Sequence, residues 1–316
     1  MMISRRRLFG FALLSGFAVP AAAGAQVQDL LGLGQQWMDD NLDPAALRAL
    51  RSGDPAQLDK VLAGLLKGFQ GDYVLDLAAM QDVARLALPL LERDPRTRSY
   101  APWLKSRLDY FQVADQLRTS LPPPRAVPGQ PAVRPANPTP NQERQAWQKQ
   151  VAQQPAPKGA AAWVPKLKPV VRDAGAPPEL VWLAEIESSF DPAARSPAGA
   201  AGMYQLMGPT AQSLGLKLQP NDERLVPEKS ARAAAVYLRK LHDQFKDWPL
   251  ALAAYNAGPG RVAELLKRRR STSFDGIAPT LPAETQMYVP KFEAVLKKRE
   301  GVTLAALKMP SAKRSA

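Results

Sequence analysis

The amino-acid sequence predicts a mainly α-helical protein in two parts, and three observations carry that prediction. Apolar residues recur at helical spacing from Val27 to Ser120, where Asp-Pro pairs mark helix starts, and helical patterning returns beyond Trp163. A proline-rich stretch separates the two parts. The chain has 316 residues, of which 46% are hydrophobic, enough for a sizeable core, and at roughly 100 to 200 residues per domain the length fits two domains.

In chain order, the first element is a signal peptide over residues 1–25. Ser4-Arg5-Arg6-Arg7-Leu8-Phe9 precedes a mostly apolar run from Gly10 to Val19, and Ala23 and Ala25 provide a small-x-small cleavage site. The paired arginines followed by Leu-Phe resemble a twin-arginine export signal, with the ordinary secretory route as the alternative. The apolar segment is short and ends at a cleavage-like site, which disfavours a membrane anchor. No later apolar run is long enough to cross a bilayer. A net charge of +13 suits a polyanionic partner, and export makes nucleic acid an unsuitable one. With no cysteine, disulfides, thiolate metal sites and a lipidated amino-terminal Cys are excluded; a single histidine, His242, leaves no ordinary zinc site. No metal or cofactor is expected.

Residues 26–120 are expected to form a small all-α domain. Asp43 is placed to cap a helix that begins at Pro44, and Asp54-Pro55 marks a second start, followed by Leu58, Val61, Leu62 and Leu65 at helical spacing. Further helices are expected over Leu75 to Glu92 and Ala101 to Leu117. Nothing in this part signals chemistry, so a spacing or docking role is its expected function. Residues 121–162 are expected as a linker, since Pro122 to Pro140 offers few large apolar residues to offset the entropy of ordering. Within it, Gln142 to Gln154 reads as a short helix or as more linker. The second domain is expected over 163–316.

The helix opened by Pro177-Pro178 and closed near Asp191-Pro192 carries the first chemical signal. From Leu180, one face takes Leu183, Ala184 and Glu187, while Glu185 falls elsewhere. A carboxyl held against apolar surface has its charged form desolvated, so it stays protonated closer to neutrality, as a general acid requires. On periodicity alone, a helix-end carboxylate reaching to water stands as the alternative. His242 lies beside the apolar face of the helical run Pro227 to Asp247, with no nucleophile to serve, and is expected to be structural. Lys267-Arg268-Arg269-Arg270 fits either a solvated helix end or a contact with acidic peptides. Pro290 should start, break or kink the last helix.

Four blocks follow in order around and beyond Glu187: Glu187-Ser188 with Ser196-Pro197-Ala198-Gly199-Ala200; Gly202-Met203-Tyr204-Gln205-Leu206-Met207; Ala254-Tyr255-Asn256-Ala257-Gly258; and Glu284-Thr285-Gln286-Met287-Tyr288-Val289. Over roughly Trp163 to Arg299 they resemble the catalytic domains of the soluble lytic transglycosylase (SLT) family. The resemblance implies an α+β, lysozyme-like domain with a glycan groove and peptidoglycan strands as substrate; the signal peptide adds a periplasmic or otherwise extracytoplasmic place of action. The resemblance further implies Glu187 as catalytic acid and base, with Ser196, Gln205, Met207, Tyr255 and Glu284 lining the groove. Ser196 and Gln205 suit N-acetyl and hydroxyl groups, Met207 an apolar wall, and Tyr255 both a sugar face and a hydrogen bond near the carboxyl. One departure is Gly208, which stands between Met207 and Pro209 where the family passes directly from methionine to proline.

The reaction implied is cleavage of the bond between N-acetylmuramic acid and N-acetylglucosamine with formation of 1,6-anhydro ends. Two rivals stand beside it: a hydrolytic muramidase, and a catalytically silent peptidoglycan-binding scaffold. A hydrolytic glycosidase usually needs a second carboxylate, for which Asp191 and Glu284 are the candidates.

Overall fold

The computed structural model describes residues 42–121 and 135–310; the expected signal peptide and residues 122–134 of the proline run lie outside them. Among the described residues the structure is built from helices. Extended pairing is confined to two isolated bridges, Arg195 with Ala201 and Ala201 with Leu206, so the strand content implied by the resemblance shrinks to one braced loop.

The amino-terminal part begins with α1 (Pro44–Ser52), whose cap is Asp43, its carboxylate accepting from the Ala45 and Ala46 amides. Asp54 caps a short 3₁₀ turn that leads into α2 (Leu58–Gln70), which buries Leu58, Val61, Leu62 and Leu65. Each of the next two expected helices is divided. The first becomes α3 (Asp76–Ala79) and α4 (Gln81–Arg93), separated at Met80. The second becomes α5 (Ala101–Lys105) and α6 (Leu108–Ser120), separated at Ser106 and Arg107. The Ser106 hydroxyl donates to the Trp103 carbonyl at 2.9 Å, closing the end of α5 and turning the chain.

Residues 121–162 are not wholly a linker. Thr139 opens α7 (Pro140–Ala152) with a reciprocal capping box to Gln142. The helix buries Trp147, whose ring meets that of Tyr110 edge-on at 5.1 Å between centroids. Trp147 and Val151 are buried on an otherwise mostly polar helix, a docking that composition does not reveal. The boundary expected at 163 falls inside α8 (Ala160–Asp173), and one hydrophobic cluster runs from Leu42 to Leu304 across both expected domains.

A 3₁₀ segment, Pro178–Trp182, leads into α9 (Leu183–Ser188), and α10 (Gly208–Ser213) follows the braced loop. Gly208 is the first residue of α10. Next come α11 (Pro227–Phe245), α12 (Trp248–Ala257), α13 (Pro259–Arg269), α14 (Phe274–Ile277) and α15 (Ala283–Glu300). Gly258, in a left-handed conformation at φ 92°, ends α12 where Pro259 starts α13. His242 stacks on Trp248 at 4.2 Å, and burial pushes its pKa down. Lys267 to Arg270 lie exposed at the end of α13. α15 is buried on nearly every side and packs along α7; Pro290 lies inside it and neither starts nor breaks it, which leaves only the kink among the expected alternatives. No helix among the described residues is long and apolar enough to cross a membrane.

Candidate active site

Glu187 lies at the last turn of α9, on the stripe that also buries Leu183 and Ala184. It is 4% exposed, which decides between the two readings of its position: the carboxyl is held against the interior. Glu185, on another face, pairs with Arg299 at 2.7 Å. The helix ends abruptly because Ser189 and Phe190 both adopt left-handed backbone, φ 55° and 64°. Such backbone is costly for residues with a side chain, and packing of Phe190 edge-on against Trp182 helps to hold it.

The Ser188 hydroxyl donates to the Met203 carbonyl at 2.8 Å, tying α9 to the loop of the second block. Gly202 in that loop has φ 81°, and a Cβ there would overlap the Arg224 carbonyl, so only glycine fits. The buried Arg224 guanidinium donates to the Gly199 and Leu206 carbonyls, both at 2.9 Å, closing the loop from the other side.

Three residues surround the carboxyl of Glu187. Tyr288 on α15 donates its hydroxyl to Oε1 at 2.6 Å. The Arg107 guanidinium lies 3.7 Å from Oε2, an ion-pair separation too long for a hydrogen bond. Glu284, one turn before Tyr288, accepts from Nε of the same arginine at 2.9 Å and forms an ion pair with its Nη2 at 2.8 Å. Burial raises the pKa of Glu187 to about 7; Arg107 and the Tyr288 hydroxyl oppose that rise, and Glu284 adds to it. Behind them Lys291 is buried, donating to the Ser106 carbonyl at 2.7 Å and to Asp109 at 2.8 Å.

The other expected groove residues divide into two groups. Ser196 and Gln205 are buried and brace the loop: the Ser196 hydroxyl accepts from the Ala200 amide at 3.0 Å, and the Gln205 amide donates to the Ala194 and Gly202 carbonyls. Met207 is exposed and Tyr255 half-buried, so these two present surface. Tyr255 does not make the hydrogen bond near the carboxyl; its hydroxyl donates to the Tyr204 carbonyl at 2.7 Å. Tyr288 makes that bond instead. Its four-residue spacing from Glu284 on one helix face is the signal that could have identified it. Arg107 had no such signal, since it lies 80 residues before Glu187 in a helical part that appeared to lack chemistry.

Glu187 is thus a buried carboxyl whose proton affinity is matched to neutral pH, the property required of a group that delivers a proton to a bound oxygen. Residues 168–277 match the family model described as the transglycosylase SLT domain, and this stretch is a domain of that family. The membrane-bound lytic murein transglycosylase D of Escherichia coli is 43% identical over 143 residues, covering 42% of this chain and 32% of that protein. The membrane-bound lytic murein transglycosylase F 2 of Alkalilimnicola ehrlichii is 39% identical over 103 residues, 30% of this chain and 22% of that protein. The corresponding F protein of Vibrio cholerae is 34% identical over 119 residues, 35% and 21% respectively. The chain therefore spans about a third or less of the length of these relatives. A solved lytic transglycosylase Slt from Pseudomonas aeruginosa aligns with 83% of this chain and 57% of its own at 20% identity and a TM-score of 0.41, too low a likeness to carry any argument.

Proposed function

We propose that the protein is an exported, periplasmic lytic transglycosylase that cleaves peptidoglycan strands between N-acetylmuramic acid and N-acetylglucosamine, leaving 1,6-anhydro-N-acetylmuramic acid ends. The observation that carries this reading is Glu187, a buried carboxyl that accepts from Tyr288 and whose pKa is raised to about 7. At that value it exists in comparable amounts as acid and as base near neutral pH, and both forms are needed in one cycle. As the acid, it protonates the glycosidic oxygen while the substrate's N-acetyl oxygen stabilises the cationic carbon. As the resulting carboxylate, it removes the proton from the 6-hydroxyl of the same sugar, and that oxygen closes the ring. Water is not consumed.

The surroundings of the other carboxylates support this over hydrolysis. Glu284 is engaged with the Arg107 guanidinium, accepting a hydrogen bond from Nε and pairing with Nη2 through the same oxygen, so it is held as a counter-ion. Asp191 closes the turn after α9, accepting from the Ala193 amide at 2.8 Å. The names of the relatives, lytic murein transglycosylases, point to the same chemistry. In this reading Met207 and Tyr255 form the accessible wall for glycan, and Ser196 and Gln205 act through the loop they brace. The test is digestion of purified sacculi by the wild type and by Glu187→Gln. The variant is expected to lose at least ~100-fold in rate, the lower range for a general acid-base residue. A Glu187→Gln protein that still solubilises sacculi at a rate near wild type would refute the assignment.

A further inference from the structure

Arg107 belongs to neither the matched family segment nor the four sequence blocks, yet it touches the centre of the site. It sits in the short break between α5 and α6, and its guanidinium is fixed from several sides. Nη1 donates to the backbone carbonyl of Glu187 at 3.3 Å and to the Ser106 hydroxyl at 3.0 Å. Nε and Nη2 hold Glu284, and the group lies 5.0 Å from the centre of the Trp103 ring. The side chain is buried, and so is the carboxylate it approaches at 3.7 Å. A buried cation needs a reason to be there, because desolvating it costs several kcal/mol that only well-placed partners offset.

We propose that Arg107 is a positioning residue for Glu187, with Glu284 as its counter-ion, so that the amino-terminal helices complete the active site they had seemed only to accompany. The inference rests on the reading of Glu187 as the acid and base. Arg107 holds the end of α9 by its carbonyl and faces the carboxylate that forms once the proton has left. Glu284 neutralises Arg107 in the resting state, so Glu187 faces a paired cation and not a bare one. The other groups facing Glu187 are Tyr288 and Lys291 from α15, Tyr110 from α6 and Tyr255 from α12. None of these bridges Glu187 and Glu284 as Arg107 does.

The arrangement predicts opposite effects from two charge-removing changes. Arg107→Gln removes the cation and leaves the Glu284 anion, so Glu187 holds its proton more tightly and the alkaline limb of the pH–rate profile moves up. Glu284→Gln leaves the cation without its counter-ion, so the limb moves down. Each displacement is expected to be about one pH unit, a tenfold change in proton affinity. Arg107→Gln/Glu284→Gln, which removes both charges, should return the limb toward wild type. A purely structural role for Arg107 lowers rate or melting temperature without moving the two limbs in opposite directions.

The experiment is pH–rate measurement on sacculi with the full chain, and with Glu187→Gln run beside the variants. Limbs that move in opposite directions support the proposal; limbs that stay fixed, or move the same way, overturn it. Should Arg107→Gln fail to fold, Glu284→Gln decides alone by moving the limb down or leaving it in place. If Glu187→Gln is inactive while the limbs do not move, only the positioning role falls; if Glu187→Gln is active, the underlying reading falls with it.

Discussion

A group that must release a proton and then recover one works best when its proton affinity matches the surrounding pH. At Glu187 burial raises that affinity, while the Tyr288 hydroxyl and Arg107 restrain it. The same balance carries a cost in stability. Between the ordinary carboxyl value of 4.5 and about 7, the folded protein retains a proton that the unfolded chain releases, so stability falls as pH rises through that window. Glu187→Gln has no such proton to lose. Relative to wild type it should gain stability between pH 5 and pH 8, by at most about 3 kcal/mol. Urea melts at the two pH values check this; a variant whose advantage does not grow with pH contradicts the raised proton affinity. The sequence made this residue legible through the four ordered blocks that begin with Glu187-Ser188, since the apolar face of Leu180, Leu183 and Ala184 alone left a solvent-reaching carboxylate as the alternative. Its partners were harder to find. Tyr288 stands in a recognisable block without an evident task, and Arg107 is brought in by folding over a distance that no local pattern records.

Among the elements, α7 shows where composition misleads. Its residues are mostly polar and follow a proline run, yet Trp147 is fully buried between α6 and α15, with Lys291 Nζ 5.2 Å from its ring. Helix starts with Asp-Pro pairs were readable because capping is local chemistry, as at Asp43 and Asp54. The breaks at Met80 and at Ser106-Arg107 were not, because no proline or glycine marks them in the helical pattern. Trp147→Ala should cost about 3 to 5 kcal/mol, the usual range for emptying a large aromatic site in a core. Chemical denaturation measures it; a loss below 1 kcal/mol would return residues 140–152 to the status of a linker.

For the molecule as a whole, one hydrophobic cluster runs from Leu42 to Leu304, so the stretch matched to the SLT family shares its core with the amino-terminal helices. The matched stretch ends at residue 277, whereas Glu284, Tyr288 and Arg107 all lie outside it. A chain beginning at residue 163 lacks both Arg107 and Trp147, and it should show neither a cooperative melt nor activity on sacculi, while one beginning at residue 42 keeps both. Circular dichroism melts and sacculus digestion of the two chains test this directly. The central claim, that one carboxyl performs both proton transfers without water, is tested most directly by the ends it leaves. Digestion of sacculi in heavy-oxygen water, followed by mass spectrometry of the released muropeptides, is predicted to give 1,6-anhydro-N-acetylmuramic acid ends that resist borohydride and carry no label. Reducible muramic acid ends carrying the heavy oxygen would contradict it and establish hydrolysis.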